Sequence, residues 1–175
     1  GFEAAEVKVF GEMYKKGYIY KGLKPVYWCP HDETALAEAE IEYQDDPCTT
    51  VYVKFQVKDD QGKLGQYGDI SKMYFLIWTT TIWTLPGNLA IALHPRDSYV
   101  LVKADNGEMY ILAEALRDKV MKVGGIENYE TVATFTGSDF EYMQAQHPFL
   151  DKTSQLCTAE YVTMDSGTGC VHTAP

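Results

Sequence analysis

In Val51-Tyr52-Val53-Lys54-Phe55-Gln56-Val57-Lys58, apolar side chains alternate with polar ones. A period of two is typical of a strand that has one face in the core. The polar stretch 59–68 follows as a loop, and residues 73–78 then form a continuous apolar run of strand length. Such a run predicts a strand that is buried on both faces. Together these segments predict the centre of a sheet.

The rest of the chain predicts more strands than helices. Strands are predicted at residues 89–93, 99–103, 109–112, 131–135, 156–163 and 170–172, with short extended pieces at 18–20 and 26–28. Because Asn106-Gly107 suits positive φ, we expect a hairpin there. Helical spacing predicts helices over 2–16 and 113–123, each followed by glycine. We therefore expect a strand-rich α+β fold with a partly closed β-barrel core and a few peripheral helices.

Composition limits the class of protein. The chain has 175 residues, 46% of them hydrophobic, which suits one domain body at 49–175 preceded by a stem at 1–48. Its net charge of -10 gives no general attraction for nucleic-acid backbones, so any such contact must be local. No apolar run of about 18 residues predicts a membrane span. Widely spaced cysteines indicate reduced thiols in a cytoplasmic protein.

One polar segment follows the predicted buried strand. It reads Trp78-Thr79-Thr80-Thr81-Ile82-Trp83-Thr84-Leu85-Pro86-Gly87-Asn88. Hydroxyls, an amide and backbone groups at the rim of a core can fix an ester and a water without a charged nucleophile. Threonine is also simply a good strand residue, so the three threonines alone carry little weight. The whole segment is a more specific signal.

Two further segments contain residues capable of chemistry. Gly167 and Gly169 permit a tight turn just before His172, although a lone histidine is more often structural. Cys29 and His31 are metal-capable types, but zinc sites normally use two closely spaced ligand pairs. No second pair is present, so the sequence predicts no metal site. Phosphate-loop, dinucleotide-binding, nucleophile-elbow and zinc-protease motifs are also absent from the sequence.

At these segments the chain resembles the editing insertion of the isoleucyl-tRNA synthetase family. The matching blocks are Gly22–Cys29 continuing into Ala35–Tyr43, Trp78–Asn88, and Gly167–Pro175. The first and third blocks also occur, in looser form, in the valyl and leucyl relatives. The Thr79–Pro86 string and the Val171–Pro175 ending favour the isoleucyl branch.

The resemblance implies a β-barrel-centred domain of a class I synthetase that hydrolyses the ester between valine and isoleucine tRNA. Thr79, Thr80, Thr81 and Asn88 would line the pocket and position water and substrate, and Trp83 is counted with them as substrate-binding. His172 would face the amino-acid side chain and help to exclude isoleucine. Thr79, Thr80, Thr81 and His172 are therefore the expected catalytic set. The expected partners are the 3′ end of valine-mischarged tRNA and the remainder of the parent synthetase, with no membrane.

The resemblance also bears on cofactors. No cofactor is expected in this fragment, because the ATP-binding signatures of the synthetases are missing; ATP and Mg would belong to the parent enzyme. Bacterial relatives often carry a second zinc-binding cysteine shortly after the first, and here His31, Asp32 and Glu33 occupy that stretch, which argues against zinc in the parent. The family continues beyond the block that ends at Pro175 to an Asp that would hold the substrate's amino group.

Three alternatives remain open from the sequence. The chain could be a non-catalytic module that binds the tRNA end, inactive because it is truncated. It could be a free-standing deacylase that edits in trans, although the lack of an initiator Met and the end at Pro175 lead us to expect a piece of a longer protein. A valyl- or leucyl-type domain would take other substrates.

Overall fold

A computed structural model describes residues 1–175. The chain divides into two compact units, Gly1–Asp46 and Pro47–Pro175. No helix in it is both long enough and apolar enough to cross a membrane.

The first unit has little regular structure. Helix α1 spans Phe2–Lys15, and Gly17 follows it at φ +76°, as expected of a glycine that ends a helix. Strands β1 (Trp28–Cys29) and β2 (Thr34–Ala35) form an antiparallel pair, and a 3₁₀ turn spans Glu38–Glu40. The predicted extended piece at 18–20 pairs with no strand.

The second unit is built on one nine-stranded sheet. Its strands are β3 (Val51–Asp59), β4 (Met73–Thr79), β5 (Ala90–Leu93), β6 (Ser98–Ala104), β7 (Met109–Ala113), β8 (Tyr129–Thr136), β9 (Gln144–Gln146), β10 (Thr153–Thr158) and β11 (Cys170–Thr173), and its helix α2 spans Arg117–Val123. The order in the sheet is β11-β5-β10-β9-β3-β4-β7-β6-β8. Only the pairs β5–β10 and β4–β7 are parallel. The prediction of a strand-rich α+β fold is confirmed.

The sheet curls but does not close into a barrel. The loop before β11 reaches β7, where the Ala113 amide donates to the Thr168 carbonyl at 2.8 Å. No ladder joins β11 to β4 or to β8, so β11 and β8 remain edge strands. The barrel expected from the sequence is therefore curled and open along this seam.

Aromatic residues fill the core where the sheet curls. Phe140 lies among Phe75, Tyr99 and Phe135 with ring-centroid distances of 5.5, 6.2 and 5.1 Å, all in edge-on geometry. Phe75, Tyr99 and Phe140 are fully buried. The hydroxyl of Tyr99 donates to the Gly169 carbonyl at 2.6 Å and accepts from the His94 amide at 2.9 Å. This buried tyrosine fixes the turn that precedes β11.

Candidate active site

Three strand ends bring the predicted site residues to one rim of the sheet. Thr79 is the last residue of β4, and Asn88 lies two residues before β5 begins. β11 pairs antiparallel with β5, which places His172 opposite Ile91. The segment Ile82–Gly87, a 3₁₀ helix that we call the site segment, connects the β4 end to Asn88.

Threonine hydroxyls form a chain along this rim. The Thr79 hydroxyl accepts from the Thr81 amide at 3.1 Å and lies 3.2 Å from the Thr81 hydroxyl. The Thr84 hydroxyl donates to the Thr81 carbonyl at 2.7 Å and lies 3.4 Å from the Thr81 hydroxyl. These contacts are local, since threonine side chains readily bond to backbone groups a few residues away. They fix the direction of the hydroxyls at the start of the site segment.

His172 is held at both ring nitrogens. The Asn88 side-chain nitrogen donates to the Ala90 carbonyl at 3.0 Å and faces Nδ1 of His172 at 2.7 Å. An amide nitrogen can only donate, so Nδ1 accepts and the ring proton lies on Nε2. Nε2 is 3.0 Å from the Thr84 hydroxyl, which can accept because its own proton goes to the Thr81 carbonyl. The contacts thus select one neutral tautomer.

Burial keeps this imidazole neutral. Burial most of all, and then the nearby His147, lower the pKa of His172 below its ordinary value of 6.5; the backbone of Thr84 raises it by less, and Lys152 lowers it by a still smaller amount. At neutral pH the ring is uncharged, with one nitrogen donating and the other accepting. No free lone pair remains on the ring, so His172 is arranged to orient its neighbours and present a surface, and it is poorly placed to take a proton.

The predicted site residues do not all join this network. Thr79, Thr81, Asn88 and His172 do, and Asn88 is fully buried, with its Oδ1 lacking a hydrogen-bond partner within the chain. Thr80 is half-buried at the end of β4 and takes no part in the hydrogen-bond chain. Trp83, on the site segment, is 77% exposed, so it faces solvent. The proposed roles of Thr80 and Trp83 remain predictions.

Sequence reasoning missed three residues at this rim. Thr84 connects Thr81 to His172, and its three-residue spacing from Thr81 on a 3₁₀ turn could have indicated this. His147 and Lys152 reach the site segment from the loop at 147–152, which we call the clamp loop. Nε2 of His147 is 2.9 Å from the Leu85 carbonyl, and Lys152 Nζ donates to the Pro86 carbonyl at 2.6 Å. No local sequence pattern predicts these contacts, because the partners are more than 60 positions apart in sequence.

The cysteines offer little chemistry in their present surroundings. Burial raises the pKa of the Cys157 and Cys170 thiols, which disfavours the thiolate needed for attack or for metal binding. Cys29, in the first unit, donates to the Asp32 carboxylate at 3.3 Å and accepts from the Asp32 amide at 3.5 Å. All four cysteines are free.

Matches to one protein family extend over nearly the whole chain. The family model described as tRNA synthetases class I (I, L, M and V) matches residues 1–164. The chain is 58% identical over 176 residues to an isoleucine–tRNA ligase of Caldicellulosiruptor bescii and 57% identical over 175 residues to one of Thermoanaerobacter sp. (strain X514). Each match covers 99% of this chain and 19% of the relative. The chain thus spans about a fifth of the length of these relatives.

Solved structures share the fold at low sequence identity. The crystal structure of GlLeuRS-CP1 aligns with a TM-score of 0.57 and 19% identity, covering 71% of this chain and 52% of that one. The cytosolic leucyl-tRNA synthetase editing domain of P. knowlesi aligns with a TM-score of 0.58 and 13% identity, covering 73% and 59%. At these identities the likeness concerns the fold alone.

Proposed function

The chain belongs to the class I tRNA synthetases (I, L, M and V), and we propose that it is the editing domain of an isoleucyl-tRNA synthetase. Its substrate is the ester between valine and the terminal adenosine of isoleucine tRNA, and it spares the isoleucyl ester. The rest of the synthetase is the partner that delivers the tRNA 3′ end. Activation of isoleucine with ATP and Mg belongs to that remainder.

The observation that carries this proposal is the uncharged hydrogen-bond chain at the rim. Thr79, Thr81, Thr84, His172 and Asn88 are linked without a carboxylate or a thiolate among them. A site of this kind has no strong nucleophile of its own, so it suits a substrate that is already reactive. Aminoacyl esters are such substrates, and a positioned water with a stabilised oxyanion can suffice for their hydrolysis.

The proposed reaction uses water as the nucleophile. The water oxygen bonds to the ester carbonyl carbon, the bond from that carbon to the ribose oxygen breaks, and one water proton ends on the leaving ribose oxygen. The neighbouring ribose hydroxyl can assist this proton transfer. Threonine hydroxyls and backbone amides at the end of β4 hold the water and the carbonyl oxygen, and no covalent enzyme intermediate forms.

Specificity requires a pocket that rejects the larger side chain. Adding or removing one methylene in an apolar pocket changes the free energy of binding by only about 1–3 kcal/mol. The aminoacylation site of a synthetase that accepts isoleucine therefore also admits some valine. A smaller pocket can admit valine and exclude isoleucine by steric overlap. His172 is fixed in one orientation by Thr84 and Asn88, which suits it to form a rigid wall of that pocket.

Replacing this wall tests the proposal. In the intact protein that contains this chain, His172→Ala should allow isoleucyl-tRNA to be hydrolysed and reduce the preference for valine by about 10- to 100-fold. Ester loss from both charged tRNAs would be followed, with His94→Ala as the matched control, because His94 lies just past the opposite end of β5. A correctly folded His172→Ala protein that still spares isoleucine would contradict the assignment. Isolation of a valyl ester on Thr79 or Thr81 would contradict the water mechanism.

A further inference from the structure

His147 is a buried histidine that the proposed reaction does not use. His147 is 2% exposed, and its Nδ1 accepts from the backbone amides of Leu150 at 3.1 Å and Phe149 at 3.4 Å. Because these groups can only donate, the ring proton lies on Nε2. Nε2 therefore donates to the Leu85 carbonyl at 2.9 Å. The ring joins the clamp loop to the site segment through a single directed bond.

The Leu85 carbonyl is a shared acceptor at the centre of the site segment. It also accepts from the backbone amide of Asn88 at 3.0 Å, and Leu85 directly follows Thr84. Thr84 and Asn88 are the two residues that hold the His172 ring. One carbonyl thus lies between both supports of His172, and His147 is the side chain that fixes it.

A second contact from the same loop fixes the next carbonyl. Lys152 Nζ donates to the Pro86 carbonyl at 2.6 Å. The proline ring removes one backbone donor from the segment, and a 3₁₀ helix has poorer internal hydrogen-bond geometry than an α-helix. The site segment therefore depends on partners outside itself, and the clamp loop provides two of them.

We propose that His147 is a positioning residue of the editing site, which orients His172 by anchoring the Leu85 carbonyl between Thr84 and Asn88. This inference rests on the proposed function for its effect on catalysis. His147 transfers no proton in this role, and its Nε2 reaches the site segment at the Leu85 carbonyl. Loss of the anchor would let the segment shift and would broaden the orientations open to His172.

A purely structural role is the competing explanation, since the ring also packs edge-on against Phe55 and Phe149 at 5.6 and 4.5 Å. Two amide substitutions, each of which can replace one of the two ring nitrogens, separate the roles. In His147→Gln, the amide nitrogen can take the place of Nε2 and donate to Leu85. In His147→Asn, the shorter side chain can replace Nδ1 as the acceptor for Leu150 but cannot reach Leu85. Both remove the aromatic ring.

The experiment uses the intact protein that contains this chain and measures valyl-tRNA hydrolysis well below the melting temperature. His147→Asn should lower kcat by about 10- to 100-fold with little change in KM, because the tRNA contacts stay while the reacting geometry degrades. His147→Gln should recover most of the lost kcat. His94→Asn is the matched control and should leave kcat unchanged. Lys152→Met removes the second anchor from near the surface, and it should lower kcat in the same direction by a smaller factor.

A readout that does not depend on hydrolysis completes the test. Exchange of the imidazole C2 hydrogen of His172, followed by peptide mass spectrometry, reports the pKa and solvent access of that ring. We expect His147→Asn to change this exchange and His147→Gln to restore it, with no change in His94→Asn. Equal kcat losses in the Asn and Gln variants, or unchanged His172 exchange in His147→Asn, would overturn the positioning role. A change of exchange in His147→Asn that His147→Gln restores, in a protein with no hydrolase activity, would support the positioning role and refute the proposed function.

Discussion

At the scale of single residues, the charge state of His172 is the feature that most constrains the chemistry. Its pKa is held below 6.5 chiefly by burial, and a histidine whose folded-state pKa is depressed binds protons less readily than the unfolded chain does. The folded state therefore has its full stability above pH 6.5 and loses some of it as pH falls toward the folded-state pKa. We expect the Asn88–His172–Thr84 contacts to be intact at neutral pH.

Asp60 is a second residue with a depressed pKa, but here the depressed pKa stabilises the fold at neutral pH. Its buried carboxylate accepts from the backbone amides of Gly62, Leu64 and Gly65 at 3.0, 2.7 and 2.8 Å. Burial alone would raise its pKa, but these hydrogen bonds hold the pKa below the ordinary value of 3.8. Asp60→Asn should therefore lower the free energy of unfolding at pH 7 by about 1–3 kcal/mol, because one acceptor is replaced by a donor.

The pH dependence of that loss follows from linkage. The stabilisation by Asp60 is complete above pH 3.8 and disappears as pH falls through the lower folded-state pKa, so wild type and Asp60→Asn should converge in acid. Denaturant unfolding at several pH values measures this. Asp59→Asn is the control, since its side chain is exposed and keeps the Oδ1 acceptor for the Gln61 amide at 2.9 Å. A constant difference between wild type and Asp60→Asn across pH would contradict the account.

At the scale of elements, the turn before β11 decides where His172 lies. Gly169 has φ +76°, and a Cβ there would overlap the side chain of Ala113. Gly169→Ala should destabilise the fold by about 2–5 kcal/mol, combining left-handed backbone strain with overpacking. Gly107→Ala is the matched control, because Gly107 has φ +83° with open space around it and should lose only about 1–2 kcal/mol. Equal losses by thermal unfolding would refute the close approach of this turn to β7.

The elements that sequence alone predicted correctly are those with their own periodicity. β3 alternates over nine residues and β4 is continuously apolar, so side-chain pattern suffices to identify them. The hairpin of β6 and β7 has the Asn106-Gly107 turn, and α1 ends near its glycine. The family resemblance, together with the position of the threonines at the end of a buried strand, indicates Thr79, Asn88 and His172 as site residues, and the structure brings these three to one rim.

The parts that were not predicted depend on distant partners. β9 has one apolar residue between two glutamines, which is too short for any period. β10 runs over Thr153–Thr158, earlier than the predicted 156–163, because pairing with β5 and β9 sets its bounds. The site segment is a 3₁₀ helix that contains Pro86, and no repeating pattern of apolar residues predicts this conformation. His147 acts on Leu85 from 62 positions away.

At the scale of the whole molecule, the charge limits how tRNA can be bound. A net charge of -10 provides little of the phosphate neutralisation that drives general nucleic-acid affinity. If the proposed function holds, recognition by this chain concentrates on the tRNA end and its amino acid, and the rest of the synthetase holds the tRNA body. Selectivity between two esters on the same tRNA is then a property of this chain, because the remaining contacts are identical for both.

The most direct test compares ester hydrolysis on isoleucine tRNA charged with valine and with isoleucine. The intact protein that contains this chain is mixed with each charged tRNA, and loss of the amino acid is followed over time, with a protein lacking residues 47–175 as the control. We predict rapid loss of valine, slow loss of isoleucine, and no selective loss without these residues. Equal hydrolysis of the two esters, or valine hydrolysis that persists without residues 47–175, would contradict the assignment of editing to this chain.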